Sequence, residues 1–245
     1  MASGTHYRSE PPRAQGLYDP QHEHDACGVG FIVNIAGEKS HKLVLDAVQI
    51  LVNLQHRGAC GCEENTGDGA GILLQIPHKL LTRACSEIGI TLPRQPGDWG
   101  AGMIFLPSEP AERRFCEEAL ERVTAEEGQK FLGWRDVPID NSLLGATALK
   151  VEPVIRQAFI ARGPATADAA GLEWKLYVIR KRMEKLVADS RLTQKKFFYV
   201  PSLSNRTIVY KGLLLATQIS TFYRDLSDPD METAIAMVHQ RYSTN

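Results

Sequence analysis

The first residue with clear chemical potential is Cys27, which lies between a polar, proline-containing segment and the small and apolar run GVGFIV. Removal of residues 1–26 would leave a cysteine with both a thiol and a free α-amino group. An α-amine has a pKa of about 7.7–8.0 and can accept the thiol proton near neutral pH. Nucleophile and base would then belong to one residue. The alternative is a small buried core residue, which free cysteine commonly is.

The segment HQRYSTN at 239–245 offers groups that suit a substrate with a carboxylate. Arg241 follows an apolar stretch, and a guanidinium group pairs with a carboxylate through two parallel hydrogen bonds. Tyr242, Ser243 and Thr244 add hydroxyl groups beside it. The alternative is a solvated arginine at the end of a strand, so the motif alone leaves both interpretations open.

The glycine-rich segment QHRGACGCEENTGDGAG at 55–71 contains a third set of reactive residues. His56, Cys60 and Cys62 could bind a metal or act in redox chemistry, but the second ligand pair of a zinc site is missing. The glycines match neither common phosphate-binding pattern. We therefore predict no metal here and interpret the glycines as a tight turn. A non-catalytic Cys/His metal or redox module remains the alternative to an enzyme.

Composition limits the classes of function. The chain has 245 residues, is 43% hydrophobic and has a formal net charge of −1, which suits a chain with a sizeable core and does not favour nucleic acid as a partner. It has no secretory signal and no apolar run of the roughly 20 residues that a membrane span needs. Five cysteines without a framework spacing favour a reducing compartment. We expect a cytoplasmic protein, with a plastid as the other possibility.

The elements that must position these residues are strands in neighbouring pairs with helices between them. A strand is predicted from Gly28 to Asn34, directly after Cys27, and another at 234–238, before the arginine motif. This pattern lacks the regular alternation of a doubly wound parallel sheet and favours sheets with helix layers. Further strands are predicted at 72–76, 101–107, 129–138, 147–160 and, as a pair, within 196–212; helices are predicted at 41–57, 78–90, 109–128, 172–190 and 213–224.

Four segments together resemble the amidotransferase domain of the glutamate synthase large chain. That domain is one of the class II glutamine amidotransferases, which are N-terminal-nucleophile hydrolases. The resemblance runs from about residue 18 to the end and implies an α+β fold. The implied fold is a four-layer αββα sandwich of two mainly antiparallel sheets. In this chain the domain would be truncated at its C-terminal end. The segments are HDACGVGF at 24–31, LQHRGACGCEENTGDGAGILLQIP at 54–77, FYVPSLSNRTIVYKGLL at 198–214 and HQRYSTN at 239–245.

The resemblance also implies roles for individual residues. Cys27 is the implied nucleophile, and it would release ammonia from L-glutamine through a thioester. Arg241 would hold the α-carboxylate of glutamine, and Tyr242 and Thr244 would line the site. Another N-terminal-nucleophile amidohydrolase, acting on a different amide, is the alternative within the same fold.

The implied domain organisation is a propeptide at 1–26, followed at 27–245 by the N-terminal part of an incomplete amidotransferase domain. In the family, an Asn-Gly pair that forms the oxyanion hole follows the arginine motif, and an aspartate further on receives the α-amine of the substrate. These groups would lie beyond Asn245. We therefore expect the isolated chain to be inactive.

The ammonia would serve glutamate synthesis from 2-oxoglutarate in the downstream synthase domains of the same chain. FMN and an iron–sulfur cluster are implied for the full-length enzyme, and no cofactor is implied for this segment. The electrons would come from ferredoxin or from an NADPH-oxidising small subunit. We expect neither nucleic acid nor a membrane as a partner.

Overall fold

The computed structural model describes residues 14–16, 19, 28–57, 63 and 65–240. This part of the chain forms strands and helices in an irregular alternation. The strands are β1 (Val29–Val33), β2 (Ala70–Gln75), β3 (Trp99–Leu106), β4 (Lys130–Asp136), β5 (Val154–Ala161), β6 (Tyr199–Ser204), β7 (Thr207–Gly212) and β8 (Ile235–Gln240). The α-helices are α1 (His41–Asn53), α2 (His78–Glu87), α3 (Pro110–Glu126), α4 (Ala146–Lys150), α5 (Ala169–Asp189) and α6 (Ile219–Phe222).

The strands form two four-stranded sheets in which every neighbouring pair is antiparallel. The first sheet has the order β1-β8-β2-β7, and the second has the order β4-β5-β3-β6. The prediction of an α+β fold with two antiparallel sheets is therefore confirmed. Strands distant in the sequence are neighbours in the first sheet, so residues near 30, 70, 210 and 238 come together.

One hydrophobic core lies between the sheets and also contains α1 and α2. Ile72, Tyr210 and Val238 of the first sheet share this core with Trp99 and Phe159 of the second. The first three residues are cross-strand neighbours, and side chains at alternate strand positions point to one face. The first sheet therefore directs its even-numbered residues inward.

A second core covers the other face of the second sheet. Helix α5 contributes a stripe that includes Leu172, Leu176, Ile179 and Met183, all buried. Their spacing of three or four residues places them on one face of the helix that the sequence predicts at 172–190. Helix α3 packs beside α5 and completes this outer layer.

The outward face of the first sheet is apolar and exposed along β1 and β8. Phe31 is 69% exposed and pairs with Met237, which is 48% exposed. Val33 and its partner Ile235 extend the same face, as does Val29. None of the helices in the described residues combines the length and apolar character needed to cross a bilayer.

The predicted strand at 147–160 is wrong in its first part. Residues Ala146–Lys150 form helix α4, and strand β5 begins only at Val154. Alanine, leucine and lysine favour a helix, and Pro153 lacks the N–H that a strand ladder needs. The proline thus separates the helix from the strand.

The predicted helix at 213–224 is also wrong in its extent. A 3₁₀ turn, Ala216–Gln218, leads into the single turn α6, which ends where Tyr223 adopts an extended conformation. Tyr223 is buried, and its hydroxyl donates a 2.8 Å hydrogen bond to the carbonyl oxygen of Lys211. This tertiary contact accompanies the end of α6 at Phe222.

Candidate functional site

Four residues, one on or next to each strand, form a row across the first sheet at one end of its strands. We call this row, which consists of Gly28, Gln240, Ala70 and Gly212, the terminal row. The backbone N–H of Gln240 donates a 2.6 Å hydrogen bond to the carbonyl oxygen of Gly28. Ala70 is the register partner of both Gln240 and Gly212. Residue 27 precedes Gly28 and residue 241 follows Gln240. The row therefore joins the chain segments that the sequence singled out.

Glycine is required at Gly28 because the backbones approach closely there. A Cβ atom at this position would lie 2.3 Å from the carbonyl oxygen of Gln240. The glycine-rich loop has a similar contact, because a Cβ atom at Gly67 would lie 2.4 Å from the carbonyl oxygen of Leu214. Both neighbours are backbone atoms, which cannot turn aside as a flexible side chain can. The glycines thus let strand β1 and the loop lie against their neighbours.

Glu63 fixes the glycine-rich loop to helix α4. Its carboxylate accepts hydrogen bonds of 3.0 Å from the backbone N–H of Thr147 and from the hydroxyl of Thr66. These bonds, the one from the Thr147 backbone first, lower the pKa of Glu63 below its ordinary value. The ionised carboxylate therefore holds the loop against helix α4.

Gln218 anchors the same loop from the other side. Its amide nitrogen donates to the carbonyl oxygens of Asn65 at 3.1 Å and Leu143 at 2.8 Å. Its amide oxygen accepts from the backbone N–H of Leu215 at 2.8 Å. Three chain segments are thus joined beside the Gly212 end of the terminal row.

Gln240 is the residue of the terminal row with a long side chain, and sequence reasoning did not select it. The residue is 2% exposed, and neither its amide nitrogen nor its amide oxygen has a hydrogen-bond partner among the described residues. Alternation along β8 places it on the same inward face as Ala236 and Val238. A polar residue at an inward position of a strand was the signal that could have identified it.

A buried polar network joins the two sheets. The Arg135 guanidinium donates to both carboxylate oxygens of Asp225 at 2.7 and 2.8 Å and to the amide oxygen of Gln157 at 2.7 Å. The Tyr210 hydroxyl donates to Asp225 at 3.0 Å. Burial raises the pKa of Tyr210 well above its ordinary value, so the phenol stays protonated. The network is internally paired and is a structural link between the sheets.

The predicted site residues Cys27, Arg241, Tyr242 and Thr244 lie outside the described residues, and so do Cys60 and Cys62. Their roles stay predictions. Of the proposed Cys/His metal or redox set only His56 is described; its side chain is exposed, and its Nδ1 is 3.0 Å from the Asn53 carbonyl oxygen.

Cys85 and Cys116 are buried and free, as expected of structural cysteines in amphipathic helices. Burial raises the pKa of each thiol to about 12. A thiol with such a pKa is a poor nucleophile at neutral pH. Within the ranges that the structure describes, no group of three or more His, Cys, Asp or Glu residues could hold a metal ion.

A cavity of about 430 Å³ adjoins the terminal row at Gly212. Its walls are mainly apolar and include Phe105, Ile155, Leu214 and Phe222. The terminal row therefore has an apolar space at its β7 end, whereas its β1 end leads to residue 27.

Comparison with known proteins identifies the family. The family described as class-II glutamine amidotransferases matches residues 27–245. The chain belongs to this family. The match covers every described residue from Gly28 onward, including the whole terminal row of this class-II domain.

Curated relatives of this class-II domain are glutamate synthases. The glutamate synthase (NADPH) large chain of Bacillus subtilis (strain 168) is 42% identical over 97% of this chain and 15% of the relative. Glutamate synthase (NADH) of Schizosaccharomyces pombe is 40% identical over 96% of this chain and 11% of the relative. Ferredoxin-dependent glutamate synthase 1, chloroplastic/mitochondrial, of Arabidopsis thaliana is 38% identical over 96% and 14%. The chain thus spans a small fraction of the length of these relatives.

Proposed function

We propose that the terminal row is the framework of a glutamine-hydrolysing site with Cys27 as its nucleophile. The observation that carries this proposal is the 2.6 Å hydrogen bond from the Gln240 N–H to the Gly28 carbonyl oxygen. Residue 27 is bonded to Gly28 and residue 241 to Gln240, so the nucleophile and Arg241 continue from adjacent strands. The family match, which begins at residue 27, supports the same assignment.

In the proposed reaction, removal of residues 1–26 leaves a free α-amine on Cys27. This amine, with a pKa of about 7.7–8.0, takes the thiol proton. The thiolate attacks the side-chain amide carbon of glutamine and forms a thioester, while the carbon–nitrogen bond breaks and the proton leaves with ammonia. Water then hydrolyses the thioester, which releases glutamate and restores the thiol.

Arg241 is the proposed partner of the α-carboxylate of glutamine. A guanidinium group pairs with a carboxylate in a bidentate arrangement and fixes its orientation. Tyr242 and Thr244 would add hydroxyl groups to the wall of the site. By resemblance to the family, the oxyanion donors lie beyond Asn245, and loss of one such donor lowers the rate by about 10²–10³. We therefore propose that residues 27–245 alone are inactive.

We also propose that the ammonia is used for glutamate synthesis from 2-oxoglutarate in a longer protein. FMN and an iron–sulfur cluster would be held by other parts of it, with ferredoxin or NADPH as the source of electrons.

A cytoplasmic location remains part of the proposal. The two described cysteines are free thiols, which is consistent with a reducing compartment. The relative from Arabidopsis thaliana carries the words chloroplastic/mitochondrial in its name, so a plastid is the other location to test.

The test is the intact mass of the full-length protein that contains these residues, before and after treatment with 6-diazo-5-oxo-norleucine, a reactive glutamine mimic. We expect loss of residues 1–26 and one adduct on Cys27. The Cys27→Ala variant should form no adduct. An intact leader and no adduct, in protein whose fold is confirmed by circular dichroism, would contradict the proposed function.

A further inference from the structure

Gln240 is one of several described residues with a buried side-chain atom that has no hydrogen-bond partner, and it contributes two such atoms, the nitrogen and the oxygen of its amide. It is 2% exposed, and both ends of its amide lack a partner within that part of the chain. Its backbone N–H is meanwhile bonded to Gly28, next to residue 27. The amide without a described partner therefore belongs to the residue that joins strand β8 to Gly28, which follows the proposed nucleophile in the sequence.

The other buried glutamines in the described part use both ends of their amides. Gln129, Gln157 and Gln218 each donate through nitrogen and accept through oxygen within the protein. Buried polar groups are nearly always paired, because an unpaired buried amide lowers stability. An apolar side chain of the same length would avoid that loss at Gln240. A buried amide without a described partner at position 240 is therefore not favoured by folding stability alone.

We propose that Gln240 is a positioning residue, whose amide oxygen accepts a hydrogen bond from the α-amino group of Cys27 after removal of residues 1–26. The inference rests on the proposed function. Gln240 is bonded through its backbone to the residue after Cys27, and the amide can turn to present its oxygen. An amine that carries protons is the donor such an oxygen needs.

The hydrogen bond would serve the reaction in two ways. It would hold the amine, which is the base, in one orientation beside the thiol. It would also favour the protonated amine, because an acceptor stabilises the charged form and raises the pKa. Loss of the acceptor should therefore move the acid limb of the activity profile to lower pH.

The experiment compares three variants of the full-length enzyme. Gln240→Met keeps the length of the side chain and removes the amide that lacks a partner among the described residues. Gln218→Met makes the same change at a buried glutamine with a complete set of partners. Thr124→Val removes another buried polar atom without a described partner, the hydroxyl of Thr124 on α3, which lies in the core on the far side of the second sheet.

We expect Gln240→Met to keep or raise the melting temperature and to lower kcat for glutamine hydrolysis about tenfold or more, with KM changed less than kcat. Its acid limb should move to lower pH. Gln218→Met should lower the melting temperature, and Thr124→Val should keep both stability and kcat. This combination of a stable fold and a slow reaction is what a purely structural role would not produce.

Two results would overturn the inference. One is Gln240→Met with wild-type kcat and pH profile; the other is a loss of melting temperature like that of Gln218→Met, which would reveal a structural partner for the amide. Failure of the proposed function is seen separately. In that case the wild-type protein itself would acquire no adduct on Cys27, whatever the variants do.

Discussion

Tyr210 of the first sheet and Gln157 of the second are joined by a 3.2 Å hydrogen bond from the Gln157 amide nitrogen to the Tyr210 hydroxyl oxygen. Both residues are completely buried. The same hydroxyl donates to Asp225, which is paired with Arg135. The two sheets that frame the candidate site are thus held together by polar contacts as well as by apolar packing.

Asp225→Asn should strongly destabilise the 245-residue chain. The substitution keeps the shape of the side chain but leaves the buried Arg135 guanidinium without its counter-charge. Removal of one partner of a buried ion pair lowers the free energy of unfolding by about 3–5 kcal/mol. Urea unfolding at pH 7 measures the change. As a control, Asp189→Asn breaks the exposed pair with Lys185 and should change stability by about 1 kcal/mol at most. Similar effects of the two substitutions would contradict the prediction.

Gly28→Ala should destabilise the edge of the sheet that leads to the proposed nucleophile. The new Cβ atom would lie 2.3 Å from the carbonyl oxygen of Gln240, so the strands must separate. Forced overpacking of this kind lowers the free energy of unfolding by about 1–3 kcal/mol. Urea unfolding of the chain measures the loss, and glutamine hydrolysis by the full-length enzyme should fall with it.

Gly171→Ala is the matched control. Here the Cβ atom would lie 3.1 Å from the methyl group of Thr166, a side-chain atom that can shift. Alanine also favours helix α5 by about 1 kcal/mol relative to glycine. We expect no loss of stability. If Gly28→Ala were as stable as Gly171→Ala, the close approach at the terminal row would be refuted.

Local patterns in the sequence were sufficient to predict most elements. The helix predicted at 172–190 corresponds to α5, in which Leu172, Leu176, Ile179 and Met183 recur at helical spacing and are buried. Apolar runs predicted β1 and β8. Alternation and helical periodicity are properties of neighbouring residues, so they can be recognised without knowledge of the fold.

Long-range contacts could not be predicted in this way. The pairing of Gly28 with Gln240 and that of Arg135 with Asp225 join distant positions, and no local pattern specifies them. The predicted helix at 213–224 is reduced to a 3₁₀ turn at Ala216–Gln218 and one α-helical turn at Ile219–Phe222, and Tyr223 then places its buried hydroxyl on the carbonyl oxygen of Lys211. The sequence therefore indicated which residues could react. The terminal row, which brings strands β1 and β8 together, depends on the tertiary structure.

The stability of the chain should fall below pH 6.5 partly because of His78. Its ring is packed edge-on against Trp99 with 5.0 Å between the centroids. Burial, with a smaller contribution from Lys39, lowers the pKa of His78 from 6.5 to about 4. Between these values the unfolded chain takes up a proton that the folded chain does not. This group therefore has no effect above pH 6.5 and destabilises the fold as the pH falls toward 4.

His78→Phe should reduce that pH dependence, because phenylalanine keeps an aromatic ring against Trp99 and does not titrate. Urea unfolding of both proteins at pH 7.5, 6.0 and 5.0 provides the comparison. The wild-type chain should lose more stability than the variant between pH 7.5 and 5.0. Parallel losses in the two proteins would show that His78 does not contribute.

Phe31→Thr should change the stability of the chain little and should reduce its aggregation. Phe31 is 69% exposed on the outward face of the first sheet, where it pairs with the exposed Met237. A contiguous exposed apolar surface promotes association, and threonine suits a strand equally well. Substitutions at such exposed positions usually change the free energy of unfolding by about 0.5 kcal/mol or less. Urea unfolding and light scattering measure the two effects.

Ile72→Thr, on the buried face of β2, is the control and should lower stability by about 2 kcal/mol or more. If Phe31→Thr were as costly as Ile72→Thr, the outward face would be covered in solution.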